Sequence, residues 1–237
     1  MDANLAPAYA GSNEHWGVPD MKRLVLAAAA SAAATSMAFA QAPDHDRYEA
    51  CLAGIEVNAD AAYEDALAWR YEGGGWPARH CVARALIALG EEEEGAFRLQ
   101  ALAEAPDGGP DTMKVLYLAE AGEAWMSAGH PEEARRVYAR ALDFSPQSAP
   151  LWLGRARAAA GMGEWAAVEA DAAQAISFEP RNFDAWRTRA QARYELGDLD
   201  AAEADMQRAL DLAASDEEAV AALLIRGHIN EARRTGG

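Results

Sequence analysis

Residues 115–148 read VLYLAEAGEAWMSAGHPEEARRVYARALDFSPQS, and the same pattern recurs 34 residues later and once more after that. When the chain is aligned with itself at this offset, several independent positions coincide. They are Gly129, Gly163 and Gly197; Ala141, Ala175 and Ala209; Trp152 and Trp186, whose equivalent one repeat earlier is Leu118; and Pro146 and Pro180. Agreement at so many positions indicates that one structural unit is repeated along the chain.

Each unit contains two stretches with helical apolar spacing, and a glycine separates them. In the first two units the second stretch ends before a proline, which cannot continue a helix. Alanine is abundant in the chain while valine and isoleucine are scarce, and this bias favours helices over strands. The sequence therefore predicts an all-α fold built from helix-turn-helix hairpins.

The unit at residues 115–148 resembles the tetratricopeptide repeat (TPR) family, whose 34-residue unit has large residues in its first helix and small residues where its two helices cross. The matching positions are Leu118, Ala121, Gly122, Trp125, Ala134, Tyr138, Ala141 and Pro146. The resemblance implies a right-handed α-α superhelix of stacked hairpins. In such a stack we expect Tyr138 and the tryptophans Trp125, Trp152 and Trp186 to fill the gaps between successive hairpins.

The resemblance and the glycine-rich stretches divide the chain into four parts. They are an N-terminal extension and signal peptide (1–40), a helical hairpin with a glycine linker (41–75), a TPR-like array (76–214) and a C-terminal capping helix and tail (215–237). Within the array we distinguish a degenerate unit (76–110) and three clearer units (115–148, 149–182 and 183–214). We expect the capping helix to cover the last repeat with one apolar side, formed by Val220, Leu223, Leu224 and Ile229.

The segment from Met21 to Ala40 has the three-part layout of a secretory signal peptide. Lys22 and Arg23 are followed by an alanine-rich apolar run and then by small residues. We predict that translation starts at Met21 and that cleavage follows Ala40. The mature chain would then lie in the periplasm or outside the cell, without stable membrane insertion.

The chain carries 21 basic and 38 acidic residues, a net charge of -17. Such a surface offers no positive patch that could release counterions from a phosphate backbone. Nucleic acid is therefore excluded as a predicted partner.

The two cysteines, Cys51 and Cys81, would enter an oxidising compartment on export, and we predict that they form a disulfide. If the chain stacks as the TPR resemblance implies, the cysteines lie on neighbouring first helices. A metal site that also uses His45 and His80 stays open as the alternative.

We find no nucleophile with a positioned base and no phosphate-binding loop, so we predict no enzymatic activity, cofactor or metal. The TPR resemblance implies instead that the first helices line a concave groove that binds a protein or peptide. The matching positions are Leu116, Glu123, Met126, Leu153, Arg157, Asp184, Arg187, Gln191 and Tyr194. The predicted function is a non-catalytic exported scaffold, and the alternative is a periplasmic protein that binds a small molecule or metal.

Overall fold

The structure is a computed structural model that describes residues 44–235. The predicted signal peptide lies outside these residues. All regular elements in the described part are helices: α1 (44–57), α2 (Ala59–Tyr71), α3 (Gly75–Ala88), α4 (Glu92–Glu104), α5 (Asp111–Ser127), α6 (Pro131–Phe144), α7 (Ala149–Gly161), α8 (Trp165–Phe178), α9 (Phe183–Glu195), α10 (Leu199–Leu212) and α11 (Asp216–Thr235). This confirms the all-α fold, while the domain boundaries within the chain stay predictions.

The turns inside the clear repeats explain why glycine recurs at one register position. Gly129 follows α5 with a φ of 80°, in the left-handed region that glycine adopts without steric cost. Its N–H donates to Met126 O, and the next N–H, of His130, donates to Trp125 O. Gly163 and Gly197 repeat this hydrogen-bond pattern after α7 and α9. These are Schellman caps, which end the first helix of each hairpin and turn the chain into the second.

The helices stack in chain order, and each one from α2 to α10 packs against the next. First helices of successive hairpins also contact one another, as α5 does with α7, α7 with α9 and α9 with α11. The second helices within residues 44–235 show no comparable pairing. Because the first helices approach more closely than the second helices do, the stack curves towards the first helices, as in an α-α superhelix.

The predicted inter-hairpin residues differ in their burial. Tyr138 is only 1% exposed and belongs to the largest core cluster. Trp125, Trp152 and Trp186 are half-buried, and each packs against the edge of a core cluster. The expectation that all four fill the core is therefore right for the tyrosine and only partly right for the tryptophans.

The N-terminal hairpin, α1–α2, is joined to α3 by the two cysteines. Cys51 on α1 and Cys81 on α3 have their Cα atoms 6.4 Å apart and their sulfur atoms at bonding distance, which is the arrangement of a disulfide. Ile55 on α1 and Val82 on α3 pack in the same core cluster.

None of the helices within residues 44–235 combines the length and the apolar character needed to cross a bilayer.

The last helix, α11, packs against α9 and α10. Ala222 and Ile229 are fully buried in this contact, but Val220, Leu223 and Leu224 are 56%, 44% and 62% exposed. The expectation of one apolar side that covers the last repeat is therefore wrong for three of its four residues. At 100° per residue, Ala222 and Ile229 share one face, Val220 and Leu224 lie on the opposite one, and Leu223 lies at its edge.

Candidate functional site

The candidate site is the face formed by α5, α7 and α9, which are the first helices of three successive hairpins. These helices are neighbours, so the residues that the TPR resemblance selects lie along one continuous surface. We call this surface the first-helix groove. Its nine predicted residues are at least partly accessible: Leu116, Glu123, Met126, Leu153, Arg157, Asp184, Arg187, Gln191 and Tyr194.

The part of the groove on α5 and α7 is organised by one carboxylate. Glu123 accepts a hydrogen bond of 2.6 Å from the hydroxyl of Tyr138, which rises from α6 between the two first helices. Glu123 also forms an ion pair with Arg157 of α7, so the pair bridges the two helices. Because both charged groups are half-exposed, the pair contributes little to stability, but it neutralises the charge on this stretch of the groove.

The apolar residues of this stretch lie on the same two helices as the ion pair. Leu116 on α5 is 40% exposed, and Met126 and Leu153 are half-buried at the edges of core clusters. Accessible apolar side chains next to a neutralised charge pair suit the apolar side chains of a bound segment.

On α9 the charged residues of the groove pair within the helix. Asp184 and Arg187 form an ion pair with an Oδ1 to Nη2 distance of 3.0 Å, and Gln191 donates to Glu195 at 2.7 Å. Tyr194 lies beside His228 of α11, with ring centroids 6.4 Å apart. All four charged residues predicted for the groove are thus paired, whereas Glu195, which accepts from Gln191, forms no ion pair among the described residues.

A polar cluster at the N-terminal end of the groove was missed by sequence reasoning. Arg84 of α3 donates to Glu120 of α5 at 2.9 Å, so it bridges two first helices as Glu123 and Arg157 do. Arg84 and Glu120 lie 36 residues apart, and Glu123 and Arg157 lie 34 apart. Opposite charges about one repeat apart in the sequence could have predicted that this pair bridges two first helices.

The same Glu120 holds a fully buried histidine. Its Oε2 lies 2.5 Å from Nε2 of His80, and the hydroxyl of Tyr48 on α1 forms a hydrogen bond with Nδ1 of that ring. Burial, with a smaller contribution from the Glu120 carboxylate, raises the pKa of Tyr48 to about 12. Tyr48 is therefore neutral at physiological pH, and the cluster connects α1 and α3 to α5.

The ring of Tyr117 lies 4.8 Å from that of His80 between centroids. Burial raises the pKa of Tyr117 well above its usual value, and its hydroxyl has no hydrogen-bond partner among the described residues. Within residues 44–235, no three or more His, Cys, Asp or Glu side chains are grouped as metal ligands. The buried cluster is therefore a set of neutral phenols around one histidine and one carboxylate.

No family model matches the chain, and no curated protein matches it. Among solved structures, the chain is similar to TTC0263, a thermophilic TPR protein of Thermus thermophilus, with 23% identity over 80% of this chain and 98% of that chain and a TM-score of 0.50. It is also similar to MamA, with 14% identity over 66% of this chain and 90% of that chain and a TM-score of 0.56. The first TPR of Spaghetti (RPAP3), bound to the HSP90 peptide SRMEEVD, matches with 29% identity over 52% of this chain and 96% of that chain and a TM-score of 0.48. The likeness to TTC0263 and MamA shows a TPR-type helical repeat fold.

Proposed function

We propose that this protein is a TPR-family scaffold that is exported from the cytoplasm and binds a segment of a partner protein in the first-helix groove, without catalysing a reaction. The observation that carries the proposal is the continuous, accessible lining of α5, α7 and α9, in which the predicted charged side chains pair with one another and apolar side chains on α5 and α7 are accessible. Such a surface can bury a peptide without leaving an unpaired charge behind.

The charge distribution defines the chemistry of the segment. The chain as a whole carries a net charge of -17, which repels acidic segments from a distance. Within the groove the predicted charged residues pair with one another, Glu123 with Arg157 and Asp184 with Arg187, so the lining offers no unpaired predicted arginine that would attract an acidic segment. We therefore expect a segment that places apolar side chains near Leu116 and Leu153 and that is not strongly acidic.

The binding proposal is tested with a displayed peptide library selected on the purified chain, followed by affinity measurements on the recovered peptides. The double variant Leu116→Glu/Leu153→Glu should weaken binding at least ~10-fold, because it places two charges where apolar contacts are made. Phe97→Glu is the matched control, since Phe97 is 61% exposed on the second helix α4 and lies outside the groove. Equal loss in both variants would place binding elsewhere.

Export is supported by the basic, apolar and small-residue succession from Met21 to Ala40. N-terminal sequencing of protein recovered from the periplasm or medium should show Gln41 first. Thiol titration of the same unreduced material should detect no free thiol, because Cys51 and Cys81 lie at bonding distance. A soluble cytoplasmic product that begins at Met1, or two free thiols, would contradict the export part of the proposal.

A further inference from the structure

The outward face of α11 carries an apolar patch that the described chain does not cover. Val220, Leu223 and Leu224 are between 44% and 62% exposed, while the buried face of the same helix is formed by Ala222 and Ile229. The outer face of a terminal capping helix in a repeat protein is ordinarily polar, since no further repeat covers it. The outward face of α11 departs from that rule.

The 34-residue register shows what kind of element belongs on this face. Leu223 is register-equivalent to Arg189 on α9 and to Arg155 on α7. Both arginines point to the second helix of their own hairpin, where they bind Asp205 on α10 and Asp171 on α8. The exposed face of α11 is therefore the face that a second helix covers in each clear repeat, and within residues 44–235 no helix follows α11.

Gly227 gives a second, independent observation on the same face. Glycine is less favourable than alanine inside a helix, so a glycine in the middle of α11 calls for a reason. A Cβ atom at Gly227 would meet no other atom within 4 Å, so packing inside the described chain does not require glycine there. Gly227 lies three residues after Leu224, beside the apolar patch, where it leaves room for a close neighbour.

The charges on this face identify the neighbour as a second copy of the same helix. α11 carries Asp216 and Glu217 in its first turn and Arg234 in its last turn. At 100° per residue these charges flank the apolar patch on the same face. Asp216 and Glu217 form no ion pair with a described residue, and Arg234 pairs only with Glu231 of its own helix. A two-fold axis near residues 225 and 226 would place Glu217 opposite Arg234 and Leu224 opposite Gly227.

We propose that α11 forms the interface of a symmetric homodimer, in which the α11 of each copy packs antiparallel on the other and takes the position that a second helix holds in each clear repeat. Each copy then presents the same patch to the other, as a two-fold interface requires. A helix of this length is about 30 Å long and buries less area than a standard interface, so we expect dissociation in the micromolar range, on the order of 10 μM. The first-helix groove of each copy stays accessible.

The proposal is tested by sedimentation equilibrium of the full chain over concentrations below and above that range. The wild type should pass from monomer to dimer, and Leu224→Glu should raise the dissociation constant at least ~10-fold, with an unchanged melting temperature at concentrations where the wild type is monomeric. Leu196→Glu is the matched control, since Leu196 is a 48% exposed leucine outside α11 and should leave the dimer unchanged. A chain that is monomeric at all concentrations, or a dimer that survives Leu224→Glu, overturns the proposal.

A charge exchange tests the antiparallel arrangement. Glu217→Arg and Arg234→Glu should each weaken the dimer, and the double variant should restore it, because the exchanged charges again face each other across the two-fold axis. Seventeen residues of helix separate these two positions within one chain, about 25 Å, so the restoration cannot arise inside a monomer. If the double variant is weaker than either single variant, the helices do not pack antiparallel in this register.

Discussion

The hairpin α5–α6 and the two hairpins after it place different chemistry at the same register positions. In α5–α6 these positions are held by Leu118, Ala121 and Val137, all buried and apolar. In α7–α8 they are held by Trp152, Arg155 and Asp171, and in α9–α10 by Trp186, Arg189 and Asp205. The comparison shows that an apolar trio and a buried ion pair can close the same hairpin.

The ion-paired version is reproduced closely in both hairpins. Arg155 holds Asp171 with two hydrogen bonds of 2.9 and 2.6 Å, and Arg189 holds Asp205 with two of 2.7 and 2.8 Å. The guanidinium carbons lie over the indole rings of the tryptophans, at 4.5 and 4.8 Å from the ring centroids. The indole N–H groups donate to Pro146 O and Pro180 O at 2.8 and 2.9 Å.

The apolar hairpin has a second packing feature that the other two hairpins lack. The ring of Tyr138 packs against Gly122 of its own hairpin and Gly154 of the next, and a Cβ at Gly122 would lie 2.6 Å from the ring. One repeat later the tyrosine is replaced by Ala172, and the two glycines by Ala156 and Thr188. Residues that touch therefore change together, since a large side chain needs small neighbours in a close-packed core.

The largest expected effect is the loss of Tyr138. Tyr138→Ala should lower the free energy of unfolding by about 4 kcal/mol, because the emptied space between two glycines cannot be refilled by their side chains. Urea denaturation followed by circular dichroism measures the change. Tyr71→Ala, at an 88% exposed tyrosine, should change stability by less than about 0.5 kcal/mol. Similar losses in both variants would show that Tyr138 does not fill the core.

Removal of one partner of the buried ion pair should be nearly as costly. Asp171→Val should cost about 3 kcal/mol, because the carboxylate is 9% exposed and its loss leaves Arg155 without a partner. The double variant Arg155→Ala/Asp171→Val, which copies Ala121 and Val137 of the apolar hairpin, should recover most of this loss. Asp143→Val is the control at an exposed aspartate. A double variant as unstable as the single one would show that the two kinds of hairpin are not interchangeable.

A smaller effect is expected when the space for the tyrosine ring is reduced. Gly154→Ala should cost about 2 kcal/mol through overpacking against Tyr138. In the Tyr138→Ala background the same substitution should cost much less, since the ring that it meets is gone. Thermal unfolding of the two single variants and the double variant measures this coupling. Additive losses would mean that Gly154 is required for another reason.

The smallest effect is a pH dependence. Burial, and secondly the hydrogen bond to Glu123, raise the pKa of Tyr138 above its usual value of 10.0. The unfolded chain then releases this proton first, so stability is retained below pH 10 and falls as the pH rises above it. Between pH 8 and 11 the wild type should lose about 1 kcal/mol more than Tyr138→Phe in urea denaturation. Equal losses would mean that the Tyr138 hydroxyl is not buried.

The sequence predicted those residues of the candidate site whose positions follow from the 34-residue repeat. Leu116, Leu153 and Arg157 could be selected because a fixed repeat brings equivalent positions of successive first helices to one face. The bridge from Arg84 to Glu120 was missed, because it starts in the degenerate unit, where the two residues lie 36 apart and not at the 34-residue offset of the clear repeats. The exposed patch on α11 was misassigned, because apolar spacing identifies a helix but does not say which of two apolar faces meets a neighbour.

The sequence by itself determined the helical class, the hairpin unit and the places where the chain turns, because these follow from spacing, proline and glycine, which act within a few residues. It also identified Cys51 and Cys81 as partners, from the stacking order that the repeat implies. The tertiary structure alone decided that Asp171 and Asp205 are buried, that Tyr138 lies between two glycines and that α11 turns Leu224 outward. The physical reason is that burial and pairing depend on which residues from distant parts of the chain fill the same space, and the local pattern does not contain that information.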